Sequence, residues 1–208
     1  RLRGGSRRSR APALGRAEEE IPMDHLHFTD ACTGEHFAAM SLLHALGWRS
    51  TYSDAIPADY MAAEITDERW IPFFHADYET GRCRGLLLCR DDTPVACATY
   101  GPARMGPGPA QNSLVSFRSE GYEGWGEIIS FYTHPDEKRR GYGSLLMDEV
   151  LRRLREHGFP GVYLMVLREN EGARRFYARH GFSWDGTRED IVFPHDTVCV
   201  DLRYTRAL

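Results

Sequence analysis

With 208 residues, 42% of them hydrophobic and 27% charged, the chain has room for one domain with a real core and the make-up of an ordinary soluble globule. No apolar run nears the roughly 20 residues that span a bilayer, and a net charge of −4 argues against a general nucleic-acid binder. The five cysteines (Cys32, Cys83, Cys89, Cys97 and Cys199) are odd in number and scattered, without a C-x-x-C pair or clustered histidines, so they read as small core residues in a reducing, cytoplasmic setting and imply no metal site.

The first 22 residues differ in kind. Six arginines mix with Gly, Ser, Pro and Ala before Glu18-Glu19-Glu20, and Met23 stands directly ahead of the first plausible strand. Residues 1–22 are therefore expected to be a disordered leader, upstream translation or vector-derived sequence, with the folded domain over 23–208. Leaving them out moves the net charge from −4 to −7. A basic arm for nucleic acid is the sharper alternative. Residues 24–29 alternate as a short strand. Thr33 is placed to cap a helix whose apolar stripe is Ala39, Leu42, Leu43 and Leu46. A second short helix is expected to start near Pro57. Residues 85–90 and 95–102 form a hairpin across Asp91-Asp92-Thr93-Pro94. Residues 105–126, rich in Gly, Pro and Ser, form an unusually long loop.

A strand over 127–133 then runs into His134-Pro135-Asp136-Glu137-Lys138-Arg139-Arg140-Gly141-Tyr142-Gly143-Ser144, a basic loop with alternating glycines that opens a helix. The stripe of that helix is Met147, Val150, Leu151 and Leu154. Unpaired backbone N–H groups at the positive end of a helix dipole suit a phosphate or pyrophosphate, and glycine lets it approach the main chain. A triphosphate P-loop would need Lys before the Ser, and it is missing; a dinucleotide fingerprint would need Gly at 146, where Leu stands. A solvated glycine turn is the bland alternative. Residues 162–167 are a continuous apolar run, the pattern of a buried strand. Asn170 caps the next helix, Gly181 ends it, and Ala173, Phe176, Tyr177 and His180 share one face. Residues 198–204 supply a closing strand.

The first segment resembles motif A of the GCN5-related N-acetyltransferase (GNAT) superfamily, Gln/Arg-x-x-Gly-x-Gly/Ala, with Lys138 in the leading position. The second resembles its motif B, Asn-x-x-Ala-x-x-Phe-Tyr-x-x-x-Gly-Phe, with every position filled from Asn170 to Phe182. The resemblance implies an α+β, three-layer (α/β/α) GNAT fold, with a mixed, mostly antiparallel central sheet splayed between strands 4 and 5 and helices on both faces. It implies acetyl-CoA as cosubstrate and no metal. The pantetheine arm would lie along Phe131, Tyr132 and Thr133, and the pyrophosphate against Lys138, Arg139, Arg140, Gly141, Tyr142, Gly143 and Ser144, with Asn170 reaching the arm or the reacting centre. Tyr177 would protonate the departing thiolate. Glu127, directly or through a water chain, would be the general base; His134 reads as structural or solvated. Trp48 and Tyr52, and further Tyr60, Tyr122 and Trp125, could wall an amine pocket or simply pack. The function implied is acetyl transfer to a primary amine of a small molecule, or to a protein N-terminus or lysine, by direct attack in a ternary complex. The alternative is a non-catalytic acyl-CoA-binding sensor. Neither nucleic acid nor membrane is an expected partner, and a homodimer is compatible with the reading.

Overall fold

The structure, a computed structural model, describes residues 26–105 and 120–208. The expectations for residues 1–22 and for most of the 105–126 loop fall outside that range. The Thr33 hydroxyl accepts the His36 N–H at 3.2 Å and opens α1 (Gly34–Tyr52). Helices α2 (Ala58–Glu64) and α3 (Ile71–Thr80) follow, then α4 (Tyr142–Glu156) and α5 (Glu171–Arg179). The strands are β1 (Leu26–Ala31), β2 (Arg84–Arg90), β3 (Thr93–Pro102), β4 (Gly126–Thr133), β5 (Gly161–Leu167), β6 (Ser183–Phe193) and β7 (Thr197–Ala207).

They form one sheet in the order β1-β2-β3-β4-β5-β7-β6. Each neighbouring pair is antiparallel except β4–β5, which is parallel and holds only from Gly126↔Val162 to Ile128↔Leu164. Beyond Ile128 the two strands part. On the other side of β4, Thr99 pairs with Ser130 but Tyr100 with Ile128, so Ile129 is the extra residue of a β-bulge at the point where the parting begins.

Both faces are covered. Leu146, Met147, Val150, Leu151 and Leu154 of α4 and Tyr177 of α5 bury against Leu86, Ala98, Ile128, Leu164 and Leu202. On the opposite face, Phe37, Met40 and Leu43 of α1 and Phe74 of α3 pack on Leu87, Cys89 and Cys97. A third cluster joins α1 and α2 to Leu167, Ile191, Phe193 and Cys199. The sheet, its splay and its two helical layers are those the resemblance implies.

Three features depart from the sequence reading. The buried face of α1 only partly matches the Ala39–Leu46 stripe: Leu43 is buried and Ala39 packs on the core, but Leu42 is exposed, while Ser41 and His44 are buried. Those polar groups are satisfied locally, Ser41 Oγ accepting the Trp70 N–H at 3.1 Å and His44 Nδ1 lying 2.8 Å from the Met40 carbonyl, so an apolar count misplaces part of the face. Helix α3 was not anticipated, although Pro72 in its first turn and the left-handed Gly81 (φ 63°) at its end are ordinary boundary signals. Strand β6 was also missed. It is an edge strand, largely solvent-facing, with Trp-Asp-Gly-Thr-Arg-Glu-Asp in its first half and an irregular register between Trp184 and Arg188.

Candidate active site

A cleft of about 1320 Å³ runs from the parted ends of β4 and β5 to the space beneath α1 and α3. At one end stands the α4 N-terminus. Gly141 (φ 87°) precedes it, Arg139 also adopts a left-handed φ (67°), and no side chain caps the first turn. Alternating left-handed residues curl successive N–H groups toward one point, an anion-binding nest backed by the helix dipole. A Cβ on Gly143 would lie 3.4 Å from the Phe176 ring and 3.5 Å from Thr133 Oγ1, which puts that position against the cleft wall. The donor set and the bare backbone fit a diphosphate.

The flanking cations are not equivalent. Glu137 accepts both Arg90 Nη groups at 3.0 and 3.1 Å and pairs with Arg140 at 3.2 Å, while Lys138 Nζ donates to Ser50 Oγ at 3.3 Å. Arg139 forms no ion pair among the described residues. Tyr142 is buried and its hydroxyl accepts from Arg90 at 3.2 Å, so it can offer a ligand only its main chain. Ser144 Oγ lies 3.2 Å from His180 Nε2, tying α4 to α5. His134 accepts the Asp136 N–H through Nδ1 at 3.3 Å and closes the turn before the cradle, a structural role.

Along β4, the pleat sends Phe131 toward Phe176 and Tyr132 beneath α1. Trp48 donates its indole N–H to the Tyr132 hydroxyl at 2.8 Å, and a Cβ on Gly47 would collide with the Tyr132 ring. From α5, Asn170 caps the helix by accepting the Ala173 N–H at 3.0 Å and donates its amide to the Tyr52 hydroxyl at 3.2 Å. Burial pushes the Tyr52 phenol up to about 12, against the favourable contact with Asn170. Tyr177 also lines the cleft; its hydroxyl makes no hydrogen bond among the described residues, and burial, then Tyr52 and Asp201, push it above the usual phenol range. The Tyr132 phenol is raised too, chiefly by burial and then by Tyr52.

Two buried carboxyls border the cleft. Glu127 is only 1% exposed, and its oxygens accept three hydrogen bonds from Arg104: the backbone N–H and Nε at 3.0 Å each and Nη2 at 2.5 Å. Asp201, on β7 opposite Leu167 and Glu189, has no cation within ion-pair distance among the described residues. Burial, then the charges of Glu189 and Glu169, raise it to about 7. Trp48 and Tyr52 line the cleft with Trp70. Tyr60, Tyr122 and Trp125 do not: Tyr60 packs on Phe193, and Tyr122 lies between Trp125 and the Arg203 guanidinium. Sequence reasoning missed Arg104, Trp70 and Asp201. Only Asp201 carried a signal, a lone acid inside the apolar run Val198-Cys199-Val200-Asp201-Leu202.

A bulged strand that parts from its parallel neighbour and leads into an uncapped, glycine-bordered helix is the architecture of an N-acetyltransferase. The chain belongs to the acetyltransferase (GNAT) family, whose family model matches residues 45–182. It is 25% identical over 136 residues to the uncharacterized N-acetyltransferase YuaI of Bacillus subtilis (strain 168), covering 65% of this chain and 69% of that protein. A shorter match, 37% over 62 residues, links 30% of this chain to 40% of the uncharacterized N-acetyltransferase Rv2669 of Mycobacterium tuberculosis (strain ATCC 25618 / H37Rv). The crystal structure of PaiA N-acetyltransferase from Thermoplasma acidophilum in complex with coenzyme A superposes with a TM-score of 0.64 at 14% identity, over 88% of this chain and 99% of that one. The ribosomal-protein-alanine N-acetyltransferase of Brucella melitensis gives 0.64 at 18% identity over the same shares. At these identities the two structural likenesses are of fold alone. Among the described residues no helix is long and apolar enough to cross a membrane, and no cluster of metal-ligating side chains occurs.

Proposed function

We propose that the protein transfers an acetyl group from acetyl-CoA to a primary amine of a small molecule by direct attack in a ternary complex. The observation that carries this reading is the continuity of the opened β4 edge with the uncapped α4 N-terminus, in one cleft that also receives the Tyr177 hydroxyl. The first-turn N–H groups of α4 and the Arg139 side chain hold the diphosphate, and the free edge over 129–133 pairs with the arm as an added strand would. A main-chain N–H beside the Ile129 bulge is offered to the developing oxyanion.

Tyr177 donates to the sulfur as negative charge builds there. Its raised phenol keeps it protonated at neutral pH, although full transfer to a thiolate of ordinary pKa near 8.5 is uphill. With its oxygens taken up by Arg104, Glu127 fixes charge at the cleft floor. Asn170 holds Tyr52 in place and keeps one amide hydrogen for the arm. Trp48 and Tyr52 form the acceptor wall.

The test is free-thiol release with acetyl-CoA and a panel of amines, wild type against Tyr177→Phe. The expected result is turnover with at least one amine and a rate lowered about 100- to 10,000-fold by the substitution, with coenzyme A affinity unchanged in calorimetry. Tight cofactor binding without turnover of any amine would instead make the protein an acyl-CoA sensor.

A further inference from the structure

Asp201 is a buried carboxyl to which the mechanism above gives no role. Asp201 is 8% exposed, borders the cleft, and sits on the sheet face covered by α1 and α2 rather than on the α4–α5 side. The charged and titratable groups that face it are Tyr52 from α1, Tyr177 from α5, Glu169 from the β5–α5 turn, Glu189 from β6 and the neighbouring Cys199 on its own strand. The nearby cations are committed elsewhere, Arg168 to Glu169 at 2.8 Å and Arg203 to Asp185 at 2.6 Å, and neither forms an ion pair with Asp201. An uncompensated carboxyl in such a place costs free energy, unless a ligand brings the missing charge. Tyr52 is near it, and Trp48 and Trp70 continue from Tyr52 on the same cluster as Cys199, with ring centroids 5.1 and 6.2 Å apart along the series. Aromatic faces beside a carboxylate suit an ammonium.

Resting on the acetyltransferase reading, we propose that Asp201 receives the ammonium group of the acceptor and takes its proton, and that the acceptor is a primary amine on an uncharged apolar or aromatic body with no carboxylate beside the nitrogen. With Asp201 itself acidic and Arg168 already paired with Glu169 at 2.8 Å, a carboxylate beside the nitrogen finds no countercharge there, which disfavours α-amino acids. A base that titrates near neutrality is matched to this task, whereas Glu127 already has its oxygens occupied. The ammonium gives one proton to Asp201, which passes it to solvent. The freed nitrogen pair attacks the thioester carbon, the C–N bond forms and the C–S bond breaks. Tyr177 protonates the thiolate and regains a proton from the nitrogen, leaving amide, thiol and one released proton.

The probes are 2-phenylethylamine and L-phenylalanine, tested with wild type, Asp201→Asn and Glu189→Gln. Wild type should acetylate 2-phenylethylamine at least tenfold more efficiently (kcat/KM) than L-phenylalanine, and its kcat/KM should fall below about pH 7 as Asp201 protonates. Asp201→Asn, nearly isosteric, should lower kcat/KM for 2-phenylethylamine about 100-fold or more and abolish that limb, while coenzyme A affinity stays the same. Glu189→Gln should keep activity and move the limb to lower pH, a shift that a structural role for Asp201 would not produce. Without acetyl-CoA, 2-phenylethylamine should raise the melting temperature of wild type and not of Asp201→Asn. Turnover that Asp201→Asn leaves intact, or a preference for L-phenylalanine, overturns this inference alone. Acetyl-CoA binding with no thiol release from any amine overturns the acetyltransferase reading and this inference with it.

Discussion

Replacing Asp201 with asparagine should change how stability depends on pH, by an amount the fold itself sets. In the unfolded chain the Asp201 carboxyl titrates at its ordinary 3.8, and in the folded protein at about 7. Between those values the fold retains a proton that the unfolded chain has released. The stability associated with Asp201 is therefore complete below pH 3.8 and is lost as pH rises through 7. Integrated from pH 5 to pH 8, the loss comes to roughly 2.5 kcal/mol. His44 acts with the opposite sign. Buried, it is lowered from 6.5 to about 4, so the unfolded chain binds the extra proton and stability climbs with pH across that interval. In wild type the two effects largely offset each other between pH 4 and 6.5. Asp201→Asn removes one and leaves the His44 slope standing. Urea melts followed by circular dichroism at pH 5, 6, 7 and 8 should show the variant gaining on wild type by roughly 2.5 kcal/mol over the series, since His44 and every other shared group cancel in the difference. A constant difference across those pH values would refute the reasoning and return Asp201 to an ordinary carboxylate.

The cradle and the acceptor floor make separate predictions. Gly141→Glu puts a β-carbon at φ 87° and an anion beside the nest, so coenzyme A affinity measured by calorimetry should fall by more than tenfold, with the melting temperature lowered modestly. Arg104→Gln leaves Glu127 buried without its countercharge; chemical denaturation should find about 3–5 kcal/mol of lost stability at pH 7, partly recovered in the Arg104→Gln/Glu127→Gln double variant.

How much of this was legible in the residues depended on whether a position speaks through its own chemistry or through its neighbours. Gly141, Gly143, Asn170 and the Phe176-Tyr177 pair carry local signals, a turn, a cap and a helix face, and the structure places all of them on one cleft. The strand edge at 129–133 was legible only as a strand, because the parting from β5 is a property of the pair and of the bulge at Ile129. The acceptor side was mostly hidden. Trp48 and Tyr52 could be named as aromatics near a helix end, but Trp70 reaches them through a helix whose start, Trp-Ile-Pro-Phe-Phe, gives a weak periodic signal. Tyr60, Tyr122 and Trp125 looked equivalent to Trp48 in sequence and differ from it only in what covers them. Glu127 was read as the general base, and its pairing with Arg104 was not visible because Arg104 lies 23 positions away. Asp201 is the converse, an acid whose missing partner cannot be seen until the elements around it are in place.

The geometry of the opened edge also bears on what the acyl donor must look like. The bulge at Ile129 and the end of β4 at Thr133 are four residues apart, about 13 Å of extended chain, and the α4 N-terminus lies beyond them. A donor held by its phosphate at α4 must therefore reach the bulge through an arm at least that long, with amides able to pair with the free edge. Acetyl phosphate has no such arm and cannot occupy both ends at once. Acetyl-pantetheine has the arm but not the diphosphate. It should still deliver an acetyl group to the acceptor, with KM raised at least tenfold over acetyl-CoA and kcat retained, because the lost contacts bind ground state and transition state alike. Acetyl phosphate should be inert at concentrations where acetyl-pantetheine turns over. Equal rates from the two would mean that the edge over 129–133 does not carry the donor, whatever else the cleft binds.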